Sequence, residues 1–227
     1  MNGNLIIQNA SEVVTCSGFT AKKGEEMSTL GIIADGAVVI EQGKITRVGT
    51  TADVLSEFMA SGRDFSDFNT INASGKAVLP GFVDSHTHLV FGGYRADEFA
   101  WRLKGDSYMD ILQRGGGILS TVAATRGAAR EDLVQSGLKR LDSMLAFGVT
   151  TVEAKSGYGL DRATEIKQLE VMADLNRLHP LDVVPTFMGA HAVPPEFKGR
   201  EDAYIDFVLA DVVPEVASRK LAEFCDV

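Results

Sequence analysis

Cysteine is scarce in this chain of 227 residues, with two in all, and tryptophan occurs once. Cys16 and Cys225 stand far apart without CxxC spacing, which excludes a disulfide framework and a thiolate metal site. No apolar run approaches the roughly 20 residues that cross a bilayer, and the opening MNGNLIIQNASEVV lacks the basic and long apolar regions of a secretory signal. Basic excess is missing as well. Lys and Arg number 22 against 31 Asp and Glu, and a net charge of -9 leaves no electrostatic footprint for nucleic acid or an anionic membrane. Repeats and low-complexity tracts are absent, and 45% hydrophobic with 23% charged residues is a globular balance. The expectation is a cytoplasmic protein that acts on a small molecule.

What is there divides in two. From Leu5 to about Asn72, short β-branched runs are broken by Gly and Asn, and Gln42-Gly43 between AVVIE and KITRVG reads as a tight hairpin. The stretch SEFMASGRDFSDFNTINASG reads as polar loop. We place a boundary near Ala77, giving a β domain over 1–76 and a second domain over 77–227. In the second, apolar runs alternate with amphipathic stretches. AVLPGFVDSHTH is followed by a helix near 131–147, VTTVEAKSG, a helix near 162–178, DVVPTFMGAH, a further helical region and LAEFCDV. This is the βαβα order of a parallel sheet. Val134, Leu138, Leu141 and Leu145 line one helix face that Gly148 ends, and Asp161 caps the next helix. Polar residues collect just after the strands, as on the working face of a (β/α) barrel. About four β/α units fit, whereas a closed barrel takes eight and about 250 residues, so a fragment is expected.

The sharpest local signal is Asp84-Ser85-His86-Thr87-His88 after the strand VLPGFV. Positions two apart in an extended segment project to one side, so His86 and His88 can both aim imidazole nitrogens at a metal ion. Two ligands are an incomplete catalytic set, which commonly has three plus an exchangeable water. His191 sits at a comparable strand end as a ligand or a substrate contact, while His179, before Pro180, suits helix capping. Arg95 in LVFGGYRADEF can grip a carboxylate with two parallel hydrogen bonds. Tyr158, between glycines in KSGYGLD, can reach a ligand over close backbone, and Tyr108 is equally a helix start. Lys155 is either a charged ligand contact or a carboxylated metal bridge. The GGG of QRGGGILST lacks the context of a phosphate cradle and reads as a flexible loop near the site.

With these residues in hand, the chain resembles the imidazolonepropionases of the amidohydrolase superfamily. PGFVDSHTHLVFGGYRADEFAWRL, YMDILQRGGGILSTVAATR, GVTTVEAKSGYGL and DVVPTFMGAHAVPPEFKG look like that family's blocks in their usual order. The resemblance implies an α/β fold, a metal-dependent-hydrolase (β/α)8 TIM barrel preceded by a small β-sandwich-like domain, here incomplete. It implies hydrolysis of the cyclic amide C–N bond of 4-imidazolone-5-propanoate to N-formimidoyl-L-glutamate in histidine degradation, with one divalent metal ion, zinc or iron. By the same resemblance His86 and His88 are metal ligands, Arg95, Tyr158 and His191 contact the substrate, and His191 hydrogen-bonds the ring or the developing oxyanion. The family's remaining metal ligands and its proton-transfer Glu have no counterpart before Val227, so the chain alone is expected to be inactive. Two alternatives stand beside this. One is another cyclic-amide hydrolase or deaminase on the same scaffold. The other is a non-catalytic half-barrel that binds or builds, its open strand edge paired in a homodimer.

Overall fold

The computed structural model describes residues 3–18 and 20–227, without the side chain of Leu112. They form two compact units, Met1–Pro80 and Gly81–Val227. The first is a five-stranded sheet of β1 (Leu5–Val14), β2 (Ile32–Glu41), β3 (Lys44–Thr50), β4 (Asn69–Asn72) and β5 (Ala77–Val78), with helix α1 (Thr51–Ala60). The order is β3-β2-β1-β4, and β5 also pairs with β1. Ala77 and Val78 lie parallel to Glu12 and Val13, which is why the division falls at Pro80 rather than at 76.

The hairpin between β2 and β3 turns at Gln42 and Gly43, both with positive φ (51° and 78°), as a two-residue turn matched to strand twist requires. The segment read as loop is largely ordered. Thr50 caps α1 by accepting the Asp53 N–H, and Val54 and Phe58, one turn apart, bury against Ile6, Ala37 and Val39. A helix with two core positions shows little periodicity in sequence, which is why it escaped the reading.

The second unit runs β6 (Phe82–Thr87), α2 (Ala96–Leu103), α3 (Tyr108–Gln113), α4 (Ile118–Gly127), α5 (Arg130–Ala146), β7 (Val149–Lys155), α6 (Arg162–Leu178), β8 (Asp182–Phe187), α7 (Glu201–Phe207), α8 (Val213–Arg219) and β9 (Phe224–Cys225). Residues 208–212 between the last two helices form a π turn. The strands pair in parallel in chain order, β6-β7-β8-β9, with Phe224 opposite Thr186. The expected α/β order is therefore present, with four consecutive strands.

Helix α6 has the expected bounds, and Asp161 caps it through the Thr164 N–H. On α5 the expected face is rotated. Leu133, Gly137 and Leu141 are buried, Val134 and Leu138 pack beside them, and Leu145 is exposed. The reason is Gly137, invisible to a hydrophobic pattern, where α5 and α6 meet so closely that a Cβ would stand 2.6 Å from Leu175 Cδ1. Gly137→Val is expected to cost about 1–3 kcal/mol in urea unfolding by overpacking this contact. An unchanged midpoint would show that the helices can part without penalty.

Candidate functional site

The segments leaving β6, β7 and β8 converge, and each delivers one ring. His88, just past β6, has its ring centroid 4.6 Å from that of Tyr158 and 4.9 Å from that of His191, which are 5.9 Å from each other. His88, Phe91, Tyr94, Arg95 and Tyr158 line a cavity of about 200 Å³. Four of the five residues to which the resemblance gives a site role therefore gather in one place. The fifth, His86, is exposed near the end of β6, whose pairing with β7 is irregular between Asp84 and Thr87.

Burial, with His191, His86 and Lys155 nearby, drives the His88 imidazole down to about 4, against an opposing hydrogen bond with the Ser156 backbone. The ring is neutral at pH 7, and its buried Nδ1 has no hydrogen-bond partner among the described residues. That is the state in which imidazole donates to a metal ion. Among the described residues, no group of three or more His, Cys, Asp or Glu is placed to hold one. Burial lowers His191 as well, opposed by the Asp226 carboxylate.

Local contacts fix each ring. Glu165, in the first turn of α6, has its carboxylate fully buried and accepts the N–H groups of Gly157, Gly159 and Leu160 at 2.8–3.2 Å. Burial pushes its carboxyl up, and these bonds oppose the shift. The segment carrying Tyr158 is thereby pinned. Gly157, at φ 102°, lets it approach the next loop, since a Cβ there would lie 2.9 Å from His191 Cβ. Ser156 Oγ accepts the Met188 N–H at 2.9 Å, and buried Tyr204 donates to Gly189 O at 2.5 Å, so the loop bearing His191 is held from both sides.

Arg95 precedes α2 and stands 3.8 Å from the Glu98 carboxylate, which also accepts the Gly117 N–H at 2.7 Å. The triple-glycine segment is thus tied to Glu98 at its end. Lys155 Nζ contacts Glu153 Oε1 at 2.7 Å and Asp226 Oδ2 at 2.8 Å, and hydrogen bonds to these carboxylates raise its pKa. His179 ends α6, where its Nδ1 accepts the Leu181 N–H, and Tyr108 begins α3 with its side chain exposed.

A profile of the Amidohydrolase family matches residues 69–117. An imidazolonepropionase of Clostridium tetani is 56% identical over 225 residues, covering 99% of this chain and 52% of that protein. One from Parabacteroides distasonis is 54% identical over 226 residues, covering 100% and 53%. Over its whole length the chain is similar to imidazolonepropionases. It spans about half the length of the curated relatives it matches. Among solved structures, guanine deaminase of E. coli superposes with a TM-score of 0.58 at 14% identity, covering 91% of this chain and 42% of that one. A triazine hydrolase from Arthrobacter aurescens gives 0.51 at 19%, covering 82% and 35%. These likenesses show the amidohydrolase fold. No helix among the described residues is long and apolar enough to cross a membrane.

Glu165, Glu153 and Asp226 were missed in sequence. Glu165 had one available signal, an acidic residue in the first turn after a Gly-x-Gly loop. Asp226 had none, because it meets Lys155 across 71 positions, while Glu153 had the local signal of standing two residues before Lys155 on one strand.

Two outcomes follow. Glu165→Ala, which leaves three buried N–H groups without an acceptor, is expected to cost about 3 kcal/mol. Glu165→Gln should recover part of this, because Oε1 takes the bonds from Gly159 and Leu160; equal losses in the two variants would remove the carboxylate from the account. The His88 pKa of about 4 lies below the ordinary 6.5, so the unfolded chain binds more protons between those values. Stability should therefore fall as pH drops from 6.5 to 4, and His88→Gln should flatten that slope in pH-dependent unfolding.

Proposed function

We propose that this chain is the metal-anchoring and substrate-gripping half of an enzyme that hydrolyses the cyclic amide C–N bond of 4-imidazolone-5-propanoate to N-formimidoyl-L-glutamate, in histidine degradation. The observation that carries the reading is one cavity with a guanidinium, Arg95, and two rings, His88 and Tyr158, on its wall, in a chain 56% identical to an imidazolonepropionase. The substrate has the matching parts, a carboxylate arm and a flat polar ring.

His86 and His88 would hold one divalent metal ion, zinc or iron; the neutral ring of His88 and its unpartnered buried nitrogen fit such a role. When bound, the ion supplies Lewis acidity and lowers the pKa of water. Arg95 pairs with the propanoate carboxylate and turns affinity into orientation of the ring. Tyr158 lies against His88 and offers its hydroxyl to the ring edge, on substrate and product alike. His191 is held neutral near pH 7 by its lowered pKa and donates its ring N–H to the carbonyl oxygen as negative charge develops there. Water adds to the carbonyl carbon, the ring C–N bond breaks, and the leaving nitrogen takes the proton. A small-molecule substrate, a cytoplasmic setting and no nucleic-acid or membrane partner accompany this reading.

The test is ring opening of 4-imidazolone-5-propanoate by a protein of the relatives' full length that contains this sequence, with metal content measured. His86→Ala is expected to lose metal and turnover together. Arg95→Ala should keep the metal and raise KM roughly tenfold or more, in line with about 1.5–3 kcal/mol for a charge-assisted hydrogen bond. A folded, metal-loaded parent that leaves this substrate intact but opens or deaminates an uncharged cyclic amide would overturn the proposal.

A further inference from the structure

The cavity wall that faces Tyr158 is the segment 89–95, which follows β6. It has no regular structure, and side chains from three helices fasten it. Gln168 of α6, fully buried, donates from Nε2 to Val90 O at 2.7 Å, and Thr125 of α4 accepts the Gly92 N–H at 3.0 Å. The third contact differs in kind. Arg140, on α5, donates from Nη1 to Leu89 O at 2.7 Å and reaches Phe91 O at 3.4 Å from both terminal nitrogens. Its Nη2 lies 3.3 Å from the Tyr94 hydroxyl, and its guanidinium carbon sits 3.7 Å from the centre of the Phe91 ring. Phe91 and Tyr94 both line the 200 Å³ cavity, on the side where Arg95 stands.

Behind the same segment lies a second cavity of about 230 Å³, bounded by Phe91, Gly93, Tyr94, Ala124, Ser136 and Arg140 among others. Phe91 and Tyr94 therefore border space on both faces, whereas Leu89 and Val90 are buried in the core and Gly92 packs against Ala124. Close packing holds the rest of the segment by volume, but these two rings lack it on their outer side, and the guanidinium stands there. A planar fork that bonds two carbonyls while stacking on an aromatic ring is a role that lysine cannot fill.

We propose that Arg140 is a positioning residue for ligand binding: from α5 it latches the 89–95 wall through Phe91 and Tyr94, and so sets how Arg95 presents itself to the carboxylate of the bound molecule. This rests on the reading of the cavity as the substrate site. Arg140 touches neither that cavity's His88 nor Tyr158, so its influence falls on binding and orientation.

Two readouts on Arg140→Met and Arg140→Lys separate the latch from the substrate. Amide hydrogen exchange of the 227-residue chain reads the latch, with the Gly92 N–H as reporter. Protection should be lost over 89–95 and kept in β6 to β9, with the lysine variant between wild type and methionine. In the full-length parent, KM for 4-imidazolone-5-propanoate should rise roughly tenfold in the methionine variant with kcat within about twofold, as expected when a misplaced wall weakens orientation. Unchanged exchange over 89–95, or protection lost throughout the second unit, would overturn the latch. Localised loss of protection with an unchanged KM would overturn its role in binding. A parent inert towards this substrate would refute the functional reading, and the exchange arm would still decide the latch.

Discussion

The buried carboxylate of Glu165 is the contact on which the rest of the site depends. It takes the N–H groups of Gly157, Gly159 and Leu160, and no solvent reaches it to share the charge. Removing a carboxylate from water costs several kcal/mol, and hydrogen bonds to a charged acceptor return about 1.5–3 kcal/mol each. The position in the first turn of α6 adds the favourable end of the helix dipole. A segment with glycines at 157 and 159 would otherwise sample many conformations. Tied to α6, it becomes a rigid shelf. Tyr158 stands on it, and Ser156 at its root holds Met188 and hence the approach to His191.

Around this buried carboxyl group the polarity reverses. Three cations from the helices gather carbonyls. Arg126 donates to Gly159 O and meets Asp161, Lys167 donates to Thr125 O, Arg126 O and Ala128 O at the end of α4, and Arg140 donates to Leu89 O and Phe91 O. Loops that follow strands leave amides and carbonyls without ladder partners, and those groups must be satisfied where water is excluded. Here helix side chains satisfy them, so the loops that carry the rings are ordered without becoming strands. The helices thus do two jobs, covering the sheet with Leu141, Leu169 and Met172 and supplying the charges that shape its carboxyl edge.

The parts legible in sequence were those whose cause is local. The Gln42-Gly43 turn, the Asp161 cap and the bounds of α6 each rest on residues within four positions. The His-x-His pair was visible for the same reason. What escaped rests on distant partners or on the absence of a side chain. The buried stripe of α5 is centred on Gly137, which counts as a gap in any hydrophobic pattern. Arg140 had no signal at all, since its partners lie 46–51 positions away. Spacing also made His86 and His88 look equivalent. The irregular β6 pairing separates them into an exposed and a half-buried residue, and burial lowers the pKa of the half-buried His88.

Lys155 shows how such a distant contact decides chemistry. A lysine at the end of a barrel strand can be carboxylated to bridge two metal ions, and that reaction needs the neutral amine. Asp226 and Glu153 stabilise the ammonium instead, and Thr186 Oγ1 donates to the same Glu153 oxygen at 2.7 Å, holding that carboxylate in place. With its charge stabilised in this way, the amine is disfavoured as a nucleophile towards carbon dioxide, and the side chain acts as a cross-strand tie. It joins β7 to β8 through the shared Glu153 and to the residue just past β9 through Asp226. The same tie keeps a positive charge near the imidazole of His88, which favours its neutral form, while its carboxylate partner Asp226 acts the opposite way on His191. Held as an ammonium between two carboxylates, Lys155 does not offer the free amine that a carboxylated bridge requires.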